Sequence, residues 1–119
     1  MKTVRLATVL TLLVAFFIGC TSAIVDSQSV RTSTSHFPPK SESIPIEVMF
    51  LDQPSTRQFA GVGKVMSRAW VLSKGVDALK AEARKLGADA VINIKYERKV
   101  SIDYGQDLFT IEGDAVVWK

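Results

Sequence analysis

Cys20 is the only cysteine of the chain and His36 the only histidine, so few side chains could do nucleophilic or metal-binding chemistry. Cys20 ends a short apolar run, in Phe17-Ile18-Gly19-Cys20, and a Ser/Thr-rich stretch follows. That placement marks it first of all as a lipid attachment site. Lys2 and Arg5 make a basic start, and Leu6 to Ile18 form an apolar stretch that fits the roughly 7–15 residues of a secretory leader core. A transmembrane helix needs about 20 apolar residues, and no positive cluster follows Cys20 to stop transfer.

Gly19-Cys20 after this run resembles the bacterial lipoprotein signal, in which a peptidase cuts before a diacylated cysteine. The resemblance implies removal of residues 1–19, an acylated Cys20 as mature N-terminus, and membrane lipid as its first partner. The other reading is an ordinary cleaved leader whose cysteine is left free or pairs with another chain, and a lone exposed thiol is unusual in an exported protein. Thr21 is not Asp, so the sorting rule of enteric lipoproteins implies the outer membrane of the envelope. Export changes the charge balance. The full chain carries +3, and loss of Lys2 and Arg5 leaves 3 − 2 = +1. With Arg84-Lys85 and Arg98-Lys99 as isolated basic pairs, no nucleic acid is expected as a partner.

Catalysis would need an activated nucleophile beside a base, yet the one cysteine is committed to lipid and the one histidine lies in a linker. Asp89, Asp103, Asp107, Glu112 and Asp114 could pair as carboxylates, but they fall in expected turns and solvent-facing positions where solubility explains them. Gly61-Val62-Gly63-Lys64 lacks the spacing and the Ser/Thr of a phosphate loop. Only a hard, oxygen-ligated cation could bind, through Asp103 and Asp107, and their spacing matches no EF-hand. The expectation is a non-enzymatic protein with no cofactor and no metal.

Three segments follow: the leader 1–19, the lipidated cysteine and a flexible Ser/Thr/Pro tether over 20–43, and a folded domain over 44–119. The tether composition buries too little apolar surface to offset the entropy of ordering, and as a coil it would span about 25 Å. Ile44, Ile46, Val48 and Phe50 alternate with other residues, which predicts a strand. A second strand through Phe59 to Val65 is expected to pair with it. Val76, Leu79, Ala83 and Leu86 share a helical face, with Ser73 as N-cap and Gly87 at the left-handed C′ position. Ala90, Ile92, Ile94 and Tyr96 predict a strand with one core face. The last strand, Leu108 to Trp118, presents Phe109, Ile111, Gly113, Ala115 and Val117 together and turns apolar on its other face at Val116 and Trp118.

The predicted order is β-β-α-β-β, an α+β domain in which one helix packs on a small antiparallel sheet of about four strands. The far face of such a sheet is solvated or used for association. Trp70, Val116 and Trp118 are the candidates for an exposed contact there, so a homo-oligomer is one possibility.

Gly61-Val62-Gly63-Lys64-Val65, Ala83 to Ile92 and Ile111-Glu112-Gly113-Asp114-Ala115-Val116 resemble the core pattern of the RcsF-like outer-membrane lipoproteins and the YbjQ-like domains. The matching positions are Gly63, Val65, Leu86, Gly87, Ala88, Ala90, Gly113 and Ala115. The resemblance implies the fold, and for the RcsF-like proteins an envelope-stress sensor that acts through protein partners. RcsF carries two disulfides in its domain, and this chain has none of those cysteines. The expected function is therefore a lipid-anchored sensor or adaptor that binds an envelope protein. The alternative is a structural or self-assembling envelope component.

Overall fold

A computed structural model of the chain describes residues 23–53, 55–102 and 105–119. Cys20 and Gly19 lie outside them, as do Asp103 and Tyr104. The elements are β1 (Ile24–Arg31), β2 (Glu47–Phe50), β3 (Phe59–Ala69), α1 (Leu72–Lys85), β4 (Ala90–Ser101) and β5 (Gln106–Trp118). The strands form one mixed sheet in the order β1-β3-β5-β4-β2, and α1 packs on one face of it.

An α+β domain with a single helix is what the sequence predicts, but the sheet has five strands and is not wholly antiparallel. The segment expected to be a flexible tether contains β1, which pairs antiparallel with β3 from Ile24 opposite Ala69 to Arg31 opposite Gly63. Its Ser- and Gln-rich side chains hide it from a hydrophobic pattern, because backbone hydrogen bonding rather than apolar burial holds such an edge strand. The rest of the segment is docked as well. The N–H groups of Thr32 and Ser33 donate to Val62 O at 3.0 and 3.2 Å, and Lys40 N–H donates to Arg84 O at 2.9 Å. Phe37 packs on the core. The folded unit thus includes Ile24–Arg31 and the strap after it, and does not begin at Ile44.

This strap carries the chain to the opposite edge of the sheet. There β2 pairs parallel with β4, Glu47 beside Ala90 and Val48 beside Val91, so the expected pairing of β2 with β3 is incorrect. The alternation itself holds, since Ile46 is buried and Val48 and Phe50 pack on the core, whereas Ile44 is exposed.

Helix α1 starts after Val71, whose extended backbone (φ −126°, ψ 125°) forms the N-cap without a side-chain hydrogen bond. Ser73 therefore lies inside the first turn and is not the cap. Leu79, Ala83 and Leu86 are buried as predicted, while Val76 is only half-buried and Gly75, Ala78 and Glu82 complete the inner face. Gly75 lets the helix lie close on the sheet: a Cβ there would strike Ile111 Cδ1 and come within 3.2 Å of Ala69 Cβ. The helix ends in a Schellman motif. Ala88 N–H donates to Ala83 O and Gly87 N–H to Arg84 O, both at 3.0 Å, with Gly87 at φ +74° as expected.

The main core lies between α1 and the sheet, built from Val62, Val65, Leu79, Leu86, Val91, Ile94, Ile111 and Ala115. A smaller cluster of Ala90, Ile92 and Val116, flanked by Met49 and Trp118, lies apart from it. A β-bulge separates them within β4. Ile92 pairs with Asp114 and Lys95 with Glu112, so Asn93 and Ile94 together face Gly113. Asn93 takes φ +54° to make room, a conformation its side chain tolerates better than most. Consequently Ala90 and Ile92 do not share a face with Ile94 and Tyr96, contrary to the uninterrupted period of two. The predicted face of β5 is observed, with Ile111, Gly113 and Ala115 buried and Phe109 and Val117 packed against the core.

Candidate functional site

On the sheet face opposite α1, alternation along the strands places a row of charged side chains. Lys64 on β3 faces Asp114 on β5, Glu112 on β5 faces Lys95 on β4, and Asp26 on β1 faces Arg68 on β3. Arg68 Nε donates to both Asp26 carboxylate oxygens, at 3.0 and 3.1 Å. Lys95 Nζ lies 3.0 Å from Glu112 Oε1. Asp114 pairs with Lys64 and accepts Asn93 Nδ2 at 3.0 Å. The bulge that displaces Asn93 thus also builds this site.

The electrostatics follow from these contacts. Burial would raise the Asp114 carboxyl, but hydrogen bonds from Lys64 and Asn93 and the charges of Lys64 and Lys95 outweigh it and hold the group below its usual range. The hydrogen bond to Asp114 in turn holds the Lys64 ammonium above its usual value. The hydrogen bond from Arg68 chiefly lowers Asp26. The Lys64–Asp114 and Lys95–Glu112 pairs line a concavity of about 560 Å³, with Val30, Leu51 and Met66 as its apolar edges. The concavity thus presents both signs of charge beside apolar rims.

A second constellation sits at one end of the sheet. Asp89, just after the Schellman turn, accepts the Trp118 backbone N–H at 2.8 Å and pairs with Lys40 of the strap. Burial would raise its carboxyl, yet the hydrogen bonds from Lys40 and Trp118 and the charges of Lys40 and Arg57 hold it low. The Arg57 guanidinium carbon stands 4.7 Å from the Trp118 ring centroid.

The three residues expected to form one exposed contact do not. Val116 is fully buried in the small cluster beside Trp118. Trp70 follows Ala69, which pairs with Phe109, whereas Trp118 pairs with Phe59 at the other end of the same ladder. The two tryptophans are thus separated by roughly 30 Å of strand. Sequence alternation identifies a face but not the end of the sheet on which a residue falls.

Among the described residues, the carboxylates considered for catalysis each pair with a different cation. Asp107 binds Arg98 at 2.7 Å, Glu112 binds Lys95, and Asp89 and Asp114 are engaged as above; Asp103 lies outside the described residues. Among the described residues no group of three or more His, Cys, Asp or Glu side chains could hold a metal ion, and no helix is long and apolar enough to cross a membrane. His36 is exposed on the strap. The resemblance positions are structural in place: Gly87 and Ala88 make the helix stop, Gly113 faces the bulge, Gly63 lies opposite Arg31 and Ala115, and Val65, Leu86 and Ala115 are core.

Sequence reasoning missed Glu82. It is buried beneath β1, accepting Ser27 Oγ at 2.8 Å and Lys85 Nζ at 3.1 Å. Its position on the apolar helix face beside Leu79 and Ala83 was the available sign.

No family model matches the chain, and no curated protein and no solved structure matches it.

Proposed function

We propose that the chain is a lipid-anchored bacterial envelope lipoprotein, held in the outer membrane by acylated Cys20, whose small domain binds a protein partner as a sensor or adaptor. The observation that carries the binding role is the concave far face of the sheet, where Lys64, Lys95, Glu112 and Asp114 surround a groove edged by Val30, Leu51 and Met66. The anchoring role draws on Cys20 and the leader-like run before it. The likeness of the Gly87 and Gly113 motifs to RcsF-like proteins supports a signalling role of this kind.

A photo-reactive residue in place of Met66, in cells that make the full chain, tests this reading. Adducts with a distinct envelope protein, absent when the probe replaces Ala81 on the outer helix face and reduced in Cys20→Ser, are the expected result. A second reading, self-assembly, is favoured by one feature: β1 is an edge strand of eight residues, and an open edge can pair with another copy. Adducts of the chain with itself alone would favour that reading.

A further inference from the structure

The register of the sheet determines which end of the domain the membrane anchor can reach. Ile24 pairs with Ala69, Ala69 with Phe109, and Phe109 with Arg98, so these residues stand at one level across β1, β3, β5 and β4. Cys20 precedes Ile24 by four residues, which span at most about 14 Å when fully extended. An anchored domain therefore turns this end toward the bilayer. It cannot stand far off.

Among the paired strands of the described residues, only the β4–β5 hairpin continues beyond that level. Lys99 pairs with Leu108, Val100 with Asp107 and Ser101 with Gln106, which carries Ile102 about 13 Å past Ala69 at strand spacing. The projection matches the longest reach of the anchor. The same end is unusually apolar: Ile24, Val25, Val71, Val100 and Ile102 are half of the ten exposed large hydrophobics among the described residues. Ile102 is 95% exposed and Val100 68% exposed, a placement that gains nothing in water but gains on entering an acyl boundary. Lys99 beside them can lie along that boundary with its charged head at the phosphates, while Arg98 is held by Asp107.

We infer that Val100 and Ile102, at the far end of β4, insert into the phospholipid surface that holds the Cys20 anchor, so that the domain is seated upright with its far-face groove at right angles to the membrane. This rests on the lipid-anchor reading. Two attachments at one end fix orientation as one acylated residue cannot.

The test uses the full chain processed in cells and reconstituted in phosphatidylcholine vesicles that contain nitroxide-labelled lipid. With Cys20 acylated, Ile102→Cys supplies a single free thiol for an environment-sensitive fluorophore. Val100→Cys is a second probe, and Lys119→Cys, beyond Trp118, reports the other end. The expected result is a blue-shifted emission that loses most of its intensity to nitroxide at 102 and 100, with no loss at 119. Vesicle-bound protein whose label at 102 and 100 is unquenched, or quenched no more than at 119, overturns the insertion alone. A mature N-terminal peptide without acyl mass, in protein that fails to float with vesicles, overturns the anchor reading and the insertion with it.

Discussion

Asp89 and Trp118 are joined by a 2.8 Å hydrogen bond from the tryptophan backbone N–H to the aspartate carboxylate. The same carboxylate pairs with Lys40, so a single side chain ties the helix stop, the last strand and the strap together.

Loss of this knot should be measurable and pH-dependent. The Asp89→Ala substitution leaves the Trp118 N–H and Lys40 without an acceptor, at a cost of about 1–3 kcal/mol. The Asp89 carboxyl is lowered from 3.8 in the fold. Its charged form therefore contributes stability that is present above that value and lost as pH falls through the still lower folded value. Urea unfolding should show the full deficit of Asp89→Ala at pH 7 and a shrinking one in acid below the ordinary aspartate range.

Gly87 offers a test that separates backbone strain from contact. It sits at φ +74°, and a Cβ would come within 2.6 Å of Phe37 Cβ and of Pro38 O. Gly105 has φ +62° with nothing within 4 Å of the same position. Left-handed backbone costs a side chain about 1–2 kcal/mol. Thermal unfolding should show Gly105→Ala reduced by about that amount and Gly87→Ala by clearly more. Equal losses would mean that the strap does not press on the helix stop.

Those two glycines also mark what the sequence could and could not disclose. Leu79, Ala83, Leu86 and Gly87 specify the helix and its end by local rules, and Ile111, Gly113 and Ala115 specify a strand face by alternation; both are found. Phe37 against Gly87 is a contact between segments far apart in the chain, and no local rule encodes it. The same holds for β1, whose Ser27 and Ser29 look like linker, and for β2, whose pattern is right but whose partner is not. At the bulge, Asn93 shifts the period by one, so Ile92 and Ile94 fall on opposite faces. The far-face groove was legible only as the polar side of β5. That Lys64, Asn93 and Asp114 meet there depends on strand order.

Glu82 is the device that holds the least hydrophobic strand. Burial would raise its carboxyl, but the hydrogen bonds of Ser27, Lys85 and Ser29 keep it low. The Glu82→Ala substitution should cost about 1–3 kcal/mol and selectively speed amide exchange within Ile24–Arg31. Exchange accelerated evenly over the whole sheet would show instead that β1 opens only with global unfolding.

The charges of the far face should matter little for stability. Lys64 is 69% exposed on its side chain and Lys95 61%, and ion pairs of this exposure contribute about 0–1 kcal/mol. The double variant Lys64→Ala, Lys95→Ala is therefore expected to unfold within about 1 kcal/mol of the parent, a difference that added salt diminishes further. If the groove receives a partner, the same variant should lose cross-linking through position 66, and raised ionic strength should weaken the parent's own adducts. A variant that unfolds normally and cross-links as the parent does would remove the groove charges from recognition and leave the β1 edge as the surface to test next.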